Sequence, residues 1–251
     1  ANTRFSCSSF VIEISLMDTL VSFLIAFFML LGLIYDLSSI LQKGVIIKEN
    51  ARELLAFSGL VQYMSRLFFL AATFLLVFSF ESSVLEQLNG NLIALIVLGS
   101  SFVILPLLSI RYVWLVGIFS SPVRLVFFRG LKIHYQSLKV EGTCQVYVWR
   151  LVGLIMQLLL LSAIFMPVIV AQYFPEFRMS LSYLGQALNF GFTVVVLSVV
   201  EPSLFRSIDK FMHSRKDDDK FQGGIASEVI HMAFGKVLGC FVWGLGVLYF
   251  V

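Results

Sequence analysis

The sequence predicts an all-α fold: a polytopic transmembrane helical bundle with five or six membrane-spanning helices, a basic amphipathic helix and a candidate re-entrant pore-type helix. Two observations carry this prediction. Hydrophobic residues make up 59% of the chain against 13% charged, with 26 Phe in 251 positions, which is more apolar surface than one soluble core can hide. The apolar residues are gathered in runs near the ~20 residues a helix needs to cross hydrocarbon, and they lack the alternation of a barrel strand.

The first span is expected at Leu16–Leu41, around the uninterrupted core "FLIAFFMLLGLIY" at Phe23–Tyr35. A polar connector with Asp36, Lys43, Lys48, Glu49, Arg52 and Glu53 precedes a second span at Leu60–Phe80, where Arg66 should snorkel or pair. The acidic loop "ESSVLEQLNG" leads into Asn91–Phe119. As one helix that run would measure roughly 43 Å, too long for one bilayer core. Pro106 and Arg111 divide it into a third span at Asn91–Ile110 and a new element from Tyr112.

In "SSPVR", Ser121 caps a helix and Pro122 takes its first position. On a helical wheel for Pro122–Lys139, Arg124, Arg129, Lys132 and Lys139 share one arc, and Val126, Phe127, Leu131, Ile133 and Leu138 occupy the other side. Such a helix suits anionic lipid headgroups. A further span at Val146–Phe174 is followed by "SYLGQALNFGFTVVVLSVVEPSLF" at Ser182–Phe205, a charged loop through Arg206–Lys220, and a last span at Ile225–Val251. In that last span Gly235, Gly239 and Gly246 form a helix-packing stripe, which predicts a close neighbour helix.

Several function classes have no support. The net charge of +3 is spread over loops, so no nucleic-acid footprint appears. Cys7, Cys144 and Cys240 are far apart, and His134, His213 and His231 sit on separate elements; neither a disulfide framework nor a metal site is indicated. Nucleophile elbows, phosphate-cradling loops and dinucleotide fingerprints are missing. The chain reads as a non-enzyme without cofactor. Charge in or near the membrane is what remains to carry function: Arg66, Arg111, the basic helix, Arg150, Glu201 and Lys236. For Arg111, Arg150 and Lys236 the favoured reading is an end-of-helix anchor.

The order of elements resembles the six-transmembrane voltage-gated cation channel superfamily, as a degenerate member. "NLIALIVLGSSFVILPLLSI" at Asn91–Ile110 looks like its third helix, and "FFRGLKIHYQSL" at Phe127–Leu138 resembles the exit of its fourth. "LGQALNFGFTVVVLSVVE" at Leu184–Glu201 is similar to a pore helix running toward an acidic filter residue. The resemblance implies a sensor-like four-helix domain at 1–140 and a pore-like domain at 141–251, in which two spans flank a re-entrant helix and Glu201 is the filter candidate. Departures accompany it. Ala94 stands where the third helix usually has Asp, few basic residues mark the fourth, and the potassium filter Thr-Val-Gly-Tyr-Gly has no counterpart. The Lys and Arg after the first span also place the amino terminus on the side opposite to that family's.

The leading expectation is therefore a non-conducting structural or accessory subunit of a larger membrane complex, contacting lipids and other membrane-protein subunits. The alternative is a homo-tetrameric cation channel with a Glu201 ring and Arg124, Arg129 and Lys132 as a weak sensor. In a third reading, Ser182–Val200 crosses the membrane and Glu201 lies in the interface. The start "ANTRFSCSSF", without Met, points to a processed chain of the mitochondrial inner membrane, with the plasma membrane as the alternative.

Overall fold

The computed structural model describes residues 7–44, 51–81, 96–101, 121–123, 125–126, 147–213 and 218–250, and among these there is no strand. The long helices are α1 (Cys7–Gly44), α2 (Ala51–Glu81), α3 (Tyr147–Tyr173), α4 (Arg178–Val195), α5 (Glu201–His213) and α6 (Asp218–Phe250). A 3-10 turn at Pro175–Phe177 joins α3 to α4, and a π-helical turn at Val196–Val200 joins α4 to α5. Among the described residues four helical stretches are long and apolar enough to cross a membrane: Thr19–Gly44, Arg52–Leu76, Met179–Lys210 and Val229–Gly246. Helix α3 adds a shorter apolar stretch at Leu151–Pro167. This is an α-helical integral membrane protein. The expected third span is described only as helical residues 96–101, and the basic helix only at 121–123 and 125–126.

The direction of each helix follows from its contacts. Ser39 Oγ donates to the Ser58 carbonyl at 3.0 Å and Ser65 Oγ to the Gly32 carbonyl at 2.8 Å, so α1 and α2 are antiparallel. Gly44 lies against Val229 and Asp36 against Lys236, so α1 and α6 are antiparallel too. Gly235 meets Leu154, Gly239 meets Leu158, and Trp243 Nε1 donates to Ser162 Oγ at 3.0 Å. Partners on α3 and α6 thus rise together in sequence, and these two helices run parallel.

The glycine stripe sets how close they come. A Cβ on Gly235 would stand 2.7 Å from the Leu154 carbonyl oxygen, and one on Gly239 2.7 Å from Leu161 Cδ1. The expected close neighbour is α3. Gly246, the third member of the stripe, is partly buried, while Gly244 makes the next close approach, to Leu98 Cγ at 2.9 Å.

A parallel α3 and α6 require the chain between them to cross the bundle. Sequence reasoning favours a half-helix at Ser182–Val200 that stops at Glu201 and Pro202; the structure corrects this. Gly185 packs on Pro167 near one end of α3, and Val200 approaches Gly153 near the other, so the α4–α5 rod runs antiparallel to α3 along its length. Proline does not end the rod because the π turn absorbs it. Glu201 keeps helical angles of −63° and −41°, and its N–H reaches back five residues to the Val196 carbonyl. The wider turn accommodates the ring of Pro202, which would crowd the carbonyl four residues back in a regular helix. At the other end, Pro167 has no N–H to offer the Ala163 carbonyl, and the missing side chain of Gly185 leaves room for that oxygen, 2.8 Å from where a Cβ would sit.

Buried apolar residues form two main layers. One joins Leu37, Ile40, Leu54, Val196, Val200, Leu204, Val229 and Val237, drawing on both halves of the chain. The other joins Ile25, Met29, Leu33, Leu76, Leu161, Phe165 and Cys240. Outside them Leu67, Leu70, Phe74 and Phe78 of α2, Phe190 and Val194 of α4 and Leu197 of the π turn are exposed, as faces solvated by lipid should be.

Two measurements check this arrangement. In a cysteine-free background, single cysteines replacing the exposed Glu176 and His213 should react with a membrane-impermeant thiol reagent from opposite sides of the membrane; labelling from one side would restore the half-helix. Gly235→Ala should lower the thermal midpoint in detergent by an amount equivalent to about 1–3 kcal/mol, the usual cost of overpacking. Gly191→Ala, where no atom lies within 4 Å of the added methyl, should leave it almost unchanged.

Candidate functional site

Polar chemistry inside the bundle is concentrated in two buried ion pairs and the cleft beside them. The last turn of α1 carries Lys43, where the helix's unpaired carbonyls favour a cation. Its Nζ donates to Glu201 Oε1 at 2.8 Å and to Gln62 Oε1 at 3.4 Å. The two charged side chains are 6% and 13% exposed. Glu201, the filter candidate from sequence, is therefore held within its own chain by α1. Next to it Gln42 is fully buried, its Nε2 turned toward Ser38 Oγ at 3.5 Å.

The second pair lies two turns deeper along α1. Lys236 of α6 contacts Asp36, with side chains 3% and 9% exposed, and donates to Gln157 Oε1 of α3 at 3.1 Å. Sequence reasoning reads Lys236 as an end-of-helix anchor reaching for headgroups. The structure corrects that reading: the ammonium is turned inward because Asp36 lies opposite it, and pairing in a low-dielectric interior outweighs snorkelling. Each pair joins helices far apart in sequence. Removing one member would leave an uncompensated buried charge, typically a loss of about 3–5 kcal/mol.

A cleft of about 580 Å³ opens between α2 and α4 beside the Asp36 pair, within the range of small-molecule sites. Its polar lining is Asp36, Gln62, Ser65, Arg66, Thr73, Gln157, Gln186, Asn189 and Thr193; its apolar lining includes Tyr63, Phe69, Leu160 and Phe190. Gln186, Asn189 and Thr193 recur at helical spacing along α4 and face Gln62, Arg66 and Thr73 of α2 across the gap. Gly32, which receives the hydrogen bond from Ser65, is close to the midpoint of the Thr19–Gly44 span. Arg66, the next residue, therefore sits at mid-depth in the bundle. It is half-buried. Sequence reasoning has it snorkelling or pairing; among the described residues no carboxylate lies within ion-pair distance of it.

The remaining candidates separate. Arg124, Arg129, Lys132 and Lys139 lie outside the described residues, as do Arg111 and His134. The ring N–H of His231 is satisfied by the Ser227 carbonyl of its own helix at 2.7 Å, and His213 caps back to the Asp209 carbonyl at 2.9 Å. Cys240 is a buried free thiol. Among the described residues no group of His, Cys, Asp or Glu could hold a metal ion. The Asp36–Lys236 and Lys43–Glu201 pairings are what sequence reasoning missed. Their only trace in the sequence is four ionisable residues inside or bordering apolar runs, and nothing in the chain says which cation belongs to which anion.

Fold and site together define a polytopic membrane protein with a paired ionic interior. Searches of protein-family models, curated proteins and solved structures find no match.

The pairing predicts strong coupling. Lys43→Met and Glu201→Gln should each lower the thermal midpoint in detergent markedly, whereas Lys43→Met combined with Glu201→Met should recover most of the loss, as expected for a buried pair replaced by apolar side chains. Losses that simply add would show the two residues to be independent.

Proposed function

We propose that the protein is a non-conducting structural or accessory component of a larger membrane assembly. The observation that carries this reading is closure of charge: Asp36 and Glu201, the carboxylates described inside the bundle, are both engaged by lysines of the same chain. A cation path needs carboxylates or carbonyls turned toward a conduit. Here Glu201 is turned toward α1 and mostly shielded. Helix directions support the same reading. In a pore domain with a dipping helix the two flanking spans run antiparallel, because the dip returns the chain to the side it left. Parallel α3 and α6 do not build that arrangement.

Beyond the ion pair, α5 offers a surface suited to a partner. Leu204 and Ile208 anchor it in the core, while Arg206, Asp209, Lys210 and His213 are exposed on the helix past Glu201. That stretch reaches roughly 18 Å beyond the Lys43–Glu201 level. Mixed charge of this kind matches a polar rim at a subunit contact.

Reconstitution in liposomes tests the reading. Wild-type protein and Glu201→Gln should both leave monovalent cation flux at the protein-free level, and the protein extracted gently from its native membrane should migrate in a particle larger than any homo-oligomer it forms alone. A fourfold homomer with a cation current whose selectivity changes in Glu201→Gln would overturn it.

A further inference from the structure

We propose that the cleft between α2 and α4 binds an amphipathic carboxylate, its head on Arg66 and its hydrocarbon body in the apolar groove that continues from the cleft. The argument starts from charge. Of the five ionisable side chains described in this part of the bundle, Lys43 and Glu201 neutralise each other, as do Lys236 and Asp36. Arg66 is left over at mid-depth. A guanidinium cannot discard its proton to relieve burial, and an unpaired charge at this depth is costly unless an anion or water meets it. The cleft therefore calls for one negative charge.

The cleft's other polar groups narrow the chemistry. Gln186 and Asn189 add amide donors further along the same cleft, at the level of Thr73. A guanidinium fork matches a carboxylate in shape, taking both oxygens at once. Asp36 also lines the cleft, but Lys236 already holds its charge.

The body of the ligand is read from the walls. A second cavity of about 640 Å³ shares Leu67, Leu70 and Gln186 with the cleft and continues along Phe74 and Phe78. From Leu67 to Phe78 it follows roughly 16 Å of helix, and all its α2 lining is apolar. Leu67 and Leu70 of α2 and Phe190 of α4 are 57%, 62% and 71% exposed, so the site opens sideways toward lipid. An acyl chain can enter from the bilayer without passing through water. This inference is independent of the accessory reading: it concerns what occupies the cleft, whichever assembly the bundle joins.

The test uses the full chain in nanodiscs of zwitterionic lipid with photoactivatable palmitate as the probe. Expected are crosslinks on α2 and α4 that palmitate competes away and hexadecanol does not. Arg66→Gln should weaken binding by at least about tenfold, the loss of one charge-assisted contact, and Arg66→Lys should keep part of it. Leu70→Trp, which fills the groove and leaves Arg66 in place, should weaken binding as well; all three variants are checked for cooperative thermal unfolding, and Gly191→Ala serves as the neutral reference. The proposal fails if hexadecanol competes as well as palmitate or if Arg66→Gln binds like wild type. It fails in favour of a phosphate head if hexadecyl phosphate binds tenfold more tightly than palmitate. It also fails if, in native membranes, Arg66 crosslinks to a partner's helix that palmitate cannot displace.

Discussion

Charge inside hydrocarbon has to be answered, and the pairing of Lys43 with Glu201 and of Lys236 with Asp36 is the constraint on which the rest of this bundle depends. Taking an ammonium or a carboxylate out of water costs several kcal/mol even after relaxation. Each pair recovers that cost only with its members in contact, which sets the level of α1 against the α4–α5 rod and of α1 against α6. Apolar packing alone would tolerate a slip of one turn, because Leu, Val and Phe find similar neighbours at each level and lipid is as apolar as the interior. The ion pairs do not tolerate it. They serve as register marks, a role that buried polar groups fill in other helical assemblies.

Two prolines and the glycines turn that register into close packing. Pro202 is carried inside a rod by the π turn, and Pro167 frees a carbonyl that Gly185 accommodates. Gly235 and Gly239 let α6 approach the backbone of α3. Small residues matter in a membrane because dispersion between closely spaced backbones replaces the hydrophobic effect as the source of helix association. The result is a tight side, where α6 packs on both α1 and α3, and a looser one between α2 and α4. The cleft lies on the looser side, where Gln62 and Gln157 of the ion-pair networks border Arg66, Gln186 and Asn189.

Much of the fold was legible in sequence, and the reasons are specific. Runs such as Phe23–Tyr35 admit no structure but a helix at this length and apolarity. The spacing of Gly235 and Gly239 announced a near neighbour without naming it. Glu201 followed by Pro202 was misleading, because a lone dipeptide reads as a helix stop, and the π turn that overrides it leaves no signature in residue types. Lys236 was misleading in the same way, since an anchor and a buried partner differ only in what stands opposite.

By itself, then, the sequence determined the class of the protein, the position of most helices and the short set of charges that had to be answered, because these depend on composition and local periodicity. Only the tertiary structure decided which charges answer which, that Ser182–Phe205 crosses instead of dipping, and that Arg66 lines a cleft with no carboxylate of the described residues within ion-pair distance. Those outcomes rest on contacts between residues up to 158 positions apart, and no local rule connects residues at that separation.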